Sequence, residues 1–234
     1  MGFPENAVII EFNGIPGVGK STVSRELARL AEEHQLAFYD SYYRSQGRKR
    51  VISLLLTPSY LSLLPSIIRF SRSFKYGYKK YRHIFGILMI CRQYKDFVAD
   101  GKNGILSLDQ GIVQEFISIA HASRICPDDT VPRVLSKLER FGISFSLVDC
   151  DAPEEVVLER LRCRTGGGSR VEQNDNKEVL RILSVQNDNL GYIRKKFGEE
   201  TRYAHVTVDT SLSPRENAVR IWNSLYETSI ARQD

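Results

Sequence analysis

The chain has 234 residues, of which 42% are hydrophobic, so it can bury a sizeable core in one large α/β domain or two small ones. Its 33 basic and 28 acidic side chains leave a formal charge of +5, which suits an enzyme of anionic phosphates and does not demand nucleic acid. The four cysteines lack a zinc-binding spacing, and the N-terminus lacks a signal-peptide pattern. We therefore expect a reducing, cytoplasmic setting.

The first predicted element is an apolar, β-branched strand over residues 7–13, followed by G-I-P-G-V-G-K-S and Thr22. This is the phosphate-binding P-loop pattern, in which glycines bring backbone N–H groups to an anion, Lys20 contacts the β- and γ-phosphates, and Ser21 joins a Mg²⁺ shell. A chance match is the alternative, which the preceding strand and the helix predicted over 21–33 argue against. The predicted ATP-binding residues of the loop are Gly14, Pro16, Gly17, Val18, Gly19, Lys20, Ser21 and Thr22.

The remaining pattern alternates strands with helices. Further strands are predicted over residues 36–40, 104–109, 143–149 and 203–209. Helices are predicted over about 44–100 with breaks at Pro58, Pro65 and Gly77, and over 113–123, 131–141, 153–164, 177–197 and 214–230. Five apolar strands joined by helices predict an α/β, three-layer P-loop NTPase with a parallel sheet, in one domain over residues 1–234. Residues 41–100 would form a helical insertion.

Residues 51–70 are apolar enough to raise the question of a membrane segment. Pro58, Pro65 and Arg69 interrupt this stretch, so its longest apolar run falls far short of the roughly 20 residues that span a bilayer. We interpret it as two short helices broken at the prolines, with a membrane-surface patch as the alternative. We expect no membrane partner, and the role of residues 51–81 stays open.

The third predicted strand ends in a carboxylate, Asp109. Ligands of open α/β sheets bind outside the carboxyl ends of the strands, so Asp109 is predicted to face the P-loop. We predict that it holds Mg²⁺ together with Ser21, directly or through water. The alternative is that Asp109 caps the helix that follows Gly111, and the two roles are compatible.

Arginines surround a run of glycines after the fourth predicted strand. Arg160 and Arg164 lie four residues apart on one helix face, and Arg164 and Arg170 flank the glycines. Phosphoryl transfer needs positive charge around the moving group and exclusion of water. We therefore predict a lid over residues 164–176, in which Arg160 and Arg164 are catalytic and Arg164 and Arg170 bind ATP. The alternative is an exposed basic helix end followed by a turn.

Together these motifs resemble the nucleoside and nucleoside-monophosphate kinase branch of the P-loop kinases, and most closely the thymidylate kinase group. The resemblance rests on the P-loop with Ser21 and Thr22, on Asp109-Gln-Gly111, on D-C-D-A-P-E-E-V-V-L-E-R-L-R-C-R at 149–164, and on V-D-T-S at 208–211. It spans essentially the whole chain, although little matches between residues 41 and 90.

The resemblance also implies residues that bind the phosphoryl acceptor. Arg92 and Gln93 stand on the helix before the third strand, and Asp40 follows the second strand, where the family places a base or an acceptor-binding acid. From the residues alone, Arg92 pairs equally well with Asp96 one helical turn on, and Asp40 equally well caps the next helix. Gln110 stands where the family has an arginine, so the identity of the acceptor stays open.

Three kinds of function are compatible with these residues. The first is an ATP- and Mg²⁺-dependent kinase of a nucleoside monophosphate or nucleoside, with a sugar, an antibiotic or a non-kinase ATPase as alternatives. The second is a guanine-nucleotide switch, which needs an N-K-x-D motif that Asn176-Lys177 does not complete. The third is a nucleic-acid end kinase, which the basic and aromatic stretch 69–82 permits and which we rank below the others. The sequence is compatible with a homodimer.

Overall fold

The structure is a computed structural model that describes residues 8–40, 77–101, 103–109, 111–116, 145–163 and 205–230, and isolated helical positions between 65 and 195. Within these stretches, the side chains of residues 77–85, 145 and 228–230 are not described.

Five strands form one parallel sheet in the order β2-β3-β1-β4-β5. The strands are β1 (Val8–Asn13), β2 (Phe38–Asp40), β3 (Ile105–Leu108), β4 (Phe145–Asp151) and β5 (His205–Asp209). β1 is central, between β3 and β4, and its apolar side chains Ile9, Ile10 and Phe12 are buried. Near-continuous burial is typical of a strand that is covered on both faces.

Four helices are described over most of their length, and a further helix begins at Ile112 and is described to Phe116. The four are α1 (Lys20–Glu33), α2 (Gly77–Ala99), α3 (Glu154–Arg162) and α4 (Pro214–Ile230). α1 buries Val23, Leu27, Leu30 and Ala31, the spacing of one helix face, and packs against α4. His34 stacks on Trp222 of α4 at 4.7 Å between ring centroids, which extends this contact past the end of α1.

Helices cover both faces of the sheet. Ser107 of β3 pairs with Ile10 of β1, and its hydroxyl lies 3.0 Å from that of Ser24 on α1. Glu11 is the next residue of β1, so its side chain leaves from the opposite face, where it contacts Tyr94 of α2. The predicted fold, a three-layer α/β P-loop domain with five parallel strands, is therefore confirmed.

Where the structure describes the ends of the predicted elements, the observed bounds agree within one or two residues, and α4 has the predicted bounds. β2 begins two residues later than predicted, because the amide of Leu36 donates to Ala31 O at 2.8 Å and so closes the end of α1. The prediction that the fourth strand ends at residue 149 is wrong. Cys150 and Asp151 continue β4, since they pair with Val208 and Asp209 of β5.

Several predicted elements lie partly outside the described residues. Every described position of the predicted helix 177–197 is helical, as are Pro65 and Ile68. The rest of the insertion before Gly77 and the lid at 164–176 lie outside the described residues. In the parts of the chain that the structure does describe, no helix combines the length and apolarity needed to cross a bilayer.

Candidate nucleotide-binding site

The turn between β1 and α1 requires glycine for steric reasons. Gly14, Gly17 and Gly19 have φ angles of 144°, 84° and 111°, which L-residues rarely adopt. A Cβ on Gly17 would lie 2.8 Å from Cγ of Leu161 on α3, and one on Gly14 would lie 2.7 Å from the carbonyl oxygen of Cys150. At Gly14 and Gly17 the loop therefore packs against the end of β4 and against α3 so tightly that there is room for backbone only.

The N-terminus of α1 is left open to an anion. Its N-cap residue is Gly19, which has no side chain to accept a hydrogen bond from the first turn, and that turn has no acidic residue. Lys20 is the first helical residue, and its ammonium donates to the carbonyl oxygens of Gly14 at 2.8 Å and Ile15 at 3.2 Å. The loop therefore gathers a lysine and the positive end of a helix in one place, as phosphate binding requires.

Asp109 lies where the sequence predicted it. β3 neighbours β1, so the carboxyl end of β3 brings Asp109 to the P-loop, and its Oδ2 accepts a hydrogen bond from the Ser21 hydroxyl at 2.9 Å. The alternative role as a helix cap is filled by another residue, because the amides of Ile112 and Val113 donate to Glu11.

The two oxygens of Ser21 and Asp109 fit a magnesium ion. They are 2.9 Å apart, and neighbouring oxygens of an octahedral Mg²⁺ shell with bonds of 2.0–2.1 Å are also about 2.9 Å apart. Within the described stretches, no cluster of three or more His, Cys, Asp or Glu side chains can hold a metal. Phosphate oxygens and waters would therefore supply the other ligands, which is the usual arrangement for magnesium.

Arg160 on α3 and Thr210 just after β5 both contact the P-loop at Val18. Arg160 of α3 donates to the carbonyl oxygens of Val18 and Thr210, each at 2.7 Å, and lies 3.1 Å from the Thr210 hydroxyl. The Thr210 hydroxyl also contacts the carbonyl oxygens of Val18 and Asp151, and its amide donates to Asp151 at 2.8 Å. The predicted catalytic role of Arg160 is untested, and its observed contacts hold the P-loop backbone.

The predicted acceptor residues lie on two elements, β2 and α2. Asp40 is exposed at the carboxyl end of β2, beyond β3. Arg92 on α2 donates from Nε to Asp96 at 2.7 Å, which is the pairing considered from sequence, and Gln93 beside it is buried. Their binding of an acceptor stays a prediction. Arg164, Arg170 and Gln110 lie outside the described residues.

The sequence reasoning missed a buried carboxylate beside the site, that of Glu11. Its Oε1 accepts from the Ile112 amide at 2.9 Å and from the Tyr94 hydroxyl, and its Oε2 accepts from the Val113 amide at 3.0 Å. Burial raises the pKa of Glu11, and these hydrogen bonds lower it in part. Burial and the nearby Glu11 charge also raise the pKa of Tyr94 and of Cys91. The available signal was a charge inside an apolar strand.

Two further polar side chains are buried on the central strands, Asn13 at the end of β1 and Asp149 two residues before the end of β4. Asn13, the last residue of β1, is in register with Asp149 of β4, which lies 3.4 Å from Nε2 of His205. Among the atoms that the structure describes, neither amide atom of Asn13 has a hydrogen-bond partner. A buried amide of this kind normally has a partner, and ordered water or a ligand can supply one.

No protein-family model matches the sequence, and no curated protein is detectably similar to it. Among solved structures, the chain is similar to deoxyadenosine kinase from M. mycoides. The structure with dCMP and a flexible dCDP is 16% identical with a TM-score of 0.52, over 94% of this chain and 100% of that one. The structure with dATP is 16% identical with a TM-score of 0.52, over 93% and 99%.

An unliganded sugar kinase from Janibacter sp. HTCC2649 is 16% identical with a TM-score of 0.49, over 95% of both chains. At such low identities, the deoxyadenosine kinase comparison shows the fold alone. The fold and the glycine-rich loop thus define the class of the protein, a three-layer α/β protein with the P-loop kinase fold.

Proposed function

We propose that the chain is an ATP-dependent phosphotransferase that moves the γ-phosphoryl group of ATP to a nucleoside monophosphate or a nucleoside. The observation that carries the proposal is the 2.9 Å hydrogen bond between Ser21 and Asp109, residues 88 positions apart in sequence. A glycine-rich turn by itself is compatible with many roles. A hydroxyl and a carboxylate at magnesium spacing beside that turn support phosphoryl transfer.

In this proposal the loop binds the phosphates of ATP through its backbone N–H groups and the start of α1. Lys20 exchanges the carbonyl oxygens of Gly14 and Ile15 for charged phosphate oxygens, which accept stronger hydrogen bonds. Ser21 and Asp109 would hold Mg²⁺, which when bound neutralises charge that develops on the phosphates. Phosphoryl transfer asks little covalent chemistry of the protein, so positioning and electrostatics account for most of the rate.

The acceptor is assigned by class only. The deoxyadenosine kinase structures of similar fold hold dATP, or dCMP and dCDP, so deoxynucleosides and their monophosphates are the first acceptors to test. Asp40, Arg92 and Gln93 are the proposed acceptor-binding residues, and Arg164 and Arg170 the proposed lid arginines. A closer relation to thymidylate kinases is a hypothesis that rests on the sequence motifs alone. Cys91 and Cys150 are buried and form no disulfide, which supports a reducing, cytoplasmic setting.

The deciding experiment measures ADP release with a panel of deoxynucleosides, ribonucleosides, nucleoside monophosphates and sugars. We expect one nucleoside or monophosphate to raise ADP release above the rate with ATP alone. Lys20→Ala should lower this rate by about 100-fold or more, since it removes a donor aimed at charge that develops in the transition state. Lys195→Ala, which removes an exposed helical lysine, is the matched control and should have no effect.

Other outcomes point to other functions. ADP release that no acceptor stimulates would favour a non-kinase ATPase, and transfer to a sugar would favour the alternative acceptor. Tight binding of GTP in preference to ATP, without transfer to any acceptor, would contradict the proposal and favour a switch.

A further inference from the structure

Glu11 has no part in the phosphoryl-transfer chemistry proposed above, yet its carboxylate joins β1 to α2 and to the residues that follow Asp109. It is 1% exposed on β1, three residues before the first P-loop glycine. Its two oxygens accept the amide hydrogens of Ile112 and Val113, just after the turn that carries Asp109. Its third donor is the hydroxyl of Tyr94, which lies on α2 beside Gln93.

The turn after β3 is built around this carboxylate. A Cβ on Gly111 would lie 2.1 Å from Cδ of Glu11, so a side chain at position 111 and a carboxylate at position 11 cannot coexist without rearrangement. Leu108 is in register with Glu11 on the neighbouring strand, which places the start of the turn beside the same residue. Glu11 therefore lies between the end of β3 and the start of the helix that begins at Ile112.

We infer that Glu11 is a positioning residue, which fixes the turn of Asp109 against the strand that leads into the P-loop and attaches α2 through Tyr94. The position of Ser21 depends on the P-loop, whereas the position of Asp109 depends on the turn after β3. Their 2.9 Å contact depends on how these two segments sit together. The inference deepens the proposed phosphotransferase function and rests on it for its catalytic consequence.

The hydrogen-bond donors around the side chain at position 11 fit a carboxylate and not an amide. Two donors approach Oε1 and one approaches Oε2, so both oxygens accept. In Glu11→Gln, the amide nitrogen must face either the Val113 amide or the pair formed by Ile112 and Tyr94. Donors would then oppose one another in a buried place, where an unsatisfied polar group is costly. The variant keeps the volume of the side chain, so it tests hydrogen bonding separately from packing.

The first experiment reads the turn directly. In Glu11→Gln, amide hydrogen exchange should become about tenfold faster at Ile112 or at Val113, whichever loses its acceptor, the factor that corresponds to loss of one ordinary hydrogen bond. Ile10→Val is the matched control, because it weakens the same strand on the face away from Glu11. Equal exchange at these amides in wild type and Glu11→Gln would overturn the inference, whether or not the protein is a kinase.

The second experiment reads the consequence for the site. In Glu11→Gln, the Mg²⁺ concentration for half-maximal phosphoryl transfer should rise about 10- to 100-fold, the usual effect of losing a residue that orients a metal ligand. Affinity for ATP without Mg²⁺ should stay within about twofold of wild type, because the loop and Lys20 are untouched. An unchanged magnesium requirement in folded Glu11→Gln contradicts the positioning role.

Tyr94→Phe tests the contact of Glu11 with α2 separately from its contacts with the turn after β3. It removes the hydroxyl by which α2 contacts Glu11 and keeps the hydrogen bonds of Glu11 with Ile112 and Val113, so it should raise the KM for the acceptor and leave the magnesium requirement unchanged. Should Glu11→Gln not fold, this variant decides, and an unchanged acceptor KM overturns the inference. Should wild-type protein transfer phosphate to no acceptor, the proposed function fails. Hydrogen exchange, and ATP binding with and without Mg²⁺, then still test the placement of Asp109.

Discussion

The Ser21 hydroxyl donates to Asp109 from the second residue of α1, and this contact defines a specific requirement at position 21. Ser21→Ala removes the hydroxyl, so we expect phosphoryl transfer to fall by about 100-fold, as for loss of a group that supports transition-state charge. Ser21→Thr keeps the hydroxyl and satisfies the same P-loop pattern, so its rate should remain near that of wild type.

The measurement is the steady-state rate at saturating ATP and Mg²⁺, with thermal unfolding to confirm that both variants fold. If Ser21→Thr loses as much activity as Ser21→Ala, then crowding at position 21 and not the hydroxyl governs the rate. That result would count against a magnesium ligand at this position.

Asp209 provides a second prediction for a single side chain. Its Oδ1 accepts from the Ser211 hydroxyl at 2.6 Å and from the Ser211 amide at 2.9 Å, and these bonds together with the charge of Arg160 lower the pKa of Asp209. A lowered pKa means that the carboxylate stabilises the fold above its unfolded-state pKa. That contribution is lost as pH falls through the folded-state pKa.

Of the two hydrogen bonds, the one from the Ser211 hydroxyl lowers the pKa of Asp209 more. Ser211→Ala removes it, so the pKa of Asp209 should move up toward its ordinary value of 3.8. Carboxyl carbon shifts in an NMR pH titration measure this change. The stability difference between wild type and Ser211→Ala should shrink as the solution is acidified through the pKa of Asp209. A difference that stays constant down to strongly acidic pH would show that the serine acts through other contacts.

Single residues differ in how far they can be predicted. Lys20 and Ser21 follow from a local pattern, and Asp109 follows because parallel strands end at the same edge of a sheet. Glu11 and Thr210 depend on partners roughly 80 to 190 positions away, such as Tyr94 and Val18, and no local pattern announces these contacts. A charge within an apolar strand indicates only that some partner must exist.

Among the helices and strands, α3 has the closest relation to the loop. Leu161 packs against Gly17, and Arg160 donates to Val18 and Thr210. Arg160→Ala leaves these carbonyl oxygens without their charged donor, so we expect a loss of about 1.5–3 kcal/mol in the free energy of unfolding. Arg162→Ala is the matched control, because Arg162 lies two residues on and is exposed.

Chemical denaturation and ATP titration of both variants test this prediction. If Arg160 serves only to hold the loop, Arg160→Lys should restore part of the stability, since lysine keeps a donor for one carbonyl oxygen. Full stability of Arg160→Ala would show that the contacts to Val18 and Thr210 contribute nothing. A loss of transfer rate at full stability would instead support the catalytic role that the sequence predicted.

The bounds of the elements show where pattern reasoning stops. α4 was predicted correctly because Pro214 marks its start and its apolar residues recur at helical spacing. β4 was predicted to end too early because its last residues, Cys150 and Asp151, look like a loop in sequence. They are strand because β5 pairs with them, and pairing partners far apart in the chain are invisible to a local pattern.

For the molecule as a whole, the strand order explains why the site lies beside β1. β1 has β3 on one side and β4 on the other: the chain crosses from β1 to β2 on one side, and later from β3 past β1 to β4 on the other. Ligands of open α/β sheets bind at such a switch point, and both the P-loop and Asp109 lie there. Alternating strands and helices predicted this much, whereas the acceptor depends on side chains whose partners the pattern does not specify.

A ligand that binds only the folded chain stabilises all of it, so nucleotide binding can be read from global unfolding. At ATP–Mg²⁺ concentrations about 100 times the dissociation constant, the gain is about 2.7 kcal/mol. For a domain of this size, that gain corresponds to a rise of roughly 5–11 °C in Tm. We expect this rise for wild type and for Lys195→Ala, measured by calorimetry.

Lys20→Ala and Asp109→Asn should each remove a different part of this rise in Tm. Lys20→Ala loses its contact with the nucleotide whether or not Mg²⁺ is present, so its Tm should rise little under either condition. Asp109→Asn keeps the loop and Lys20, so it should retain the rise with ATP alone and lose the additional rise with Mg²⁺. If both variants respond to ATP–Mg²⁺ like wild type, then nucleotide binds elsewhere on the chain, and the P-loop with Asp109 is not its site.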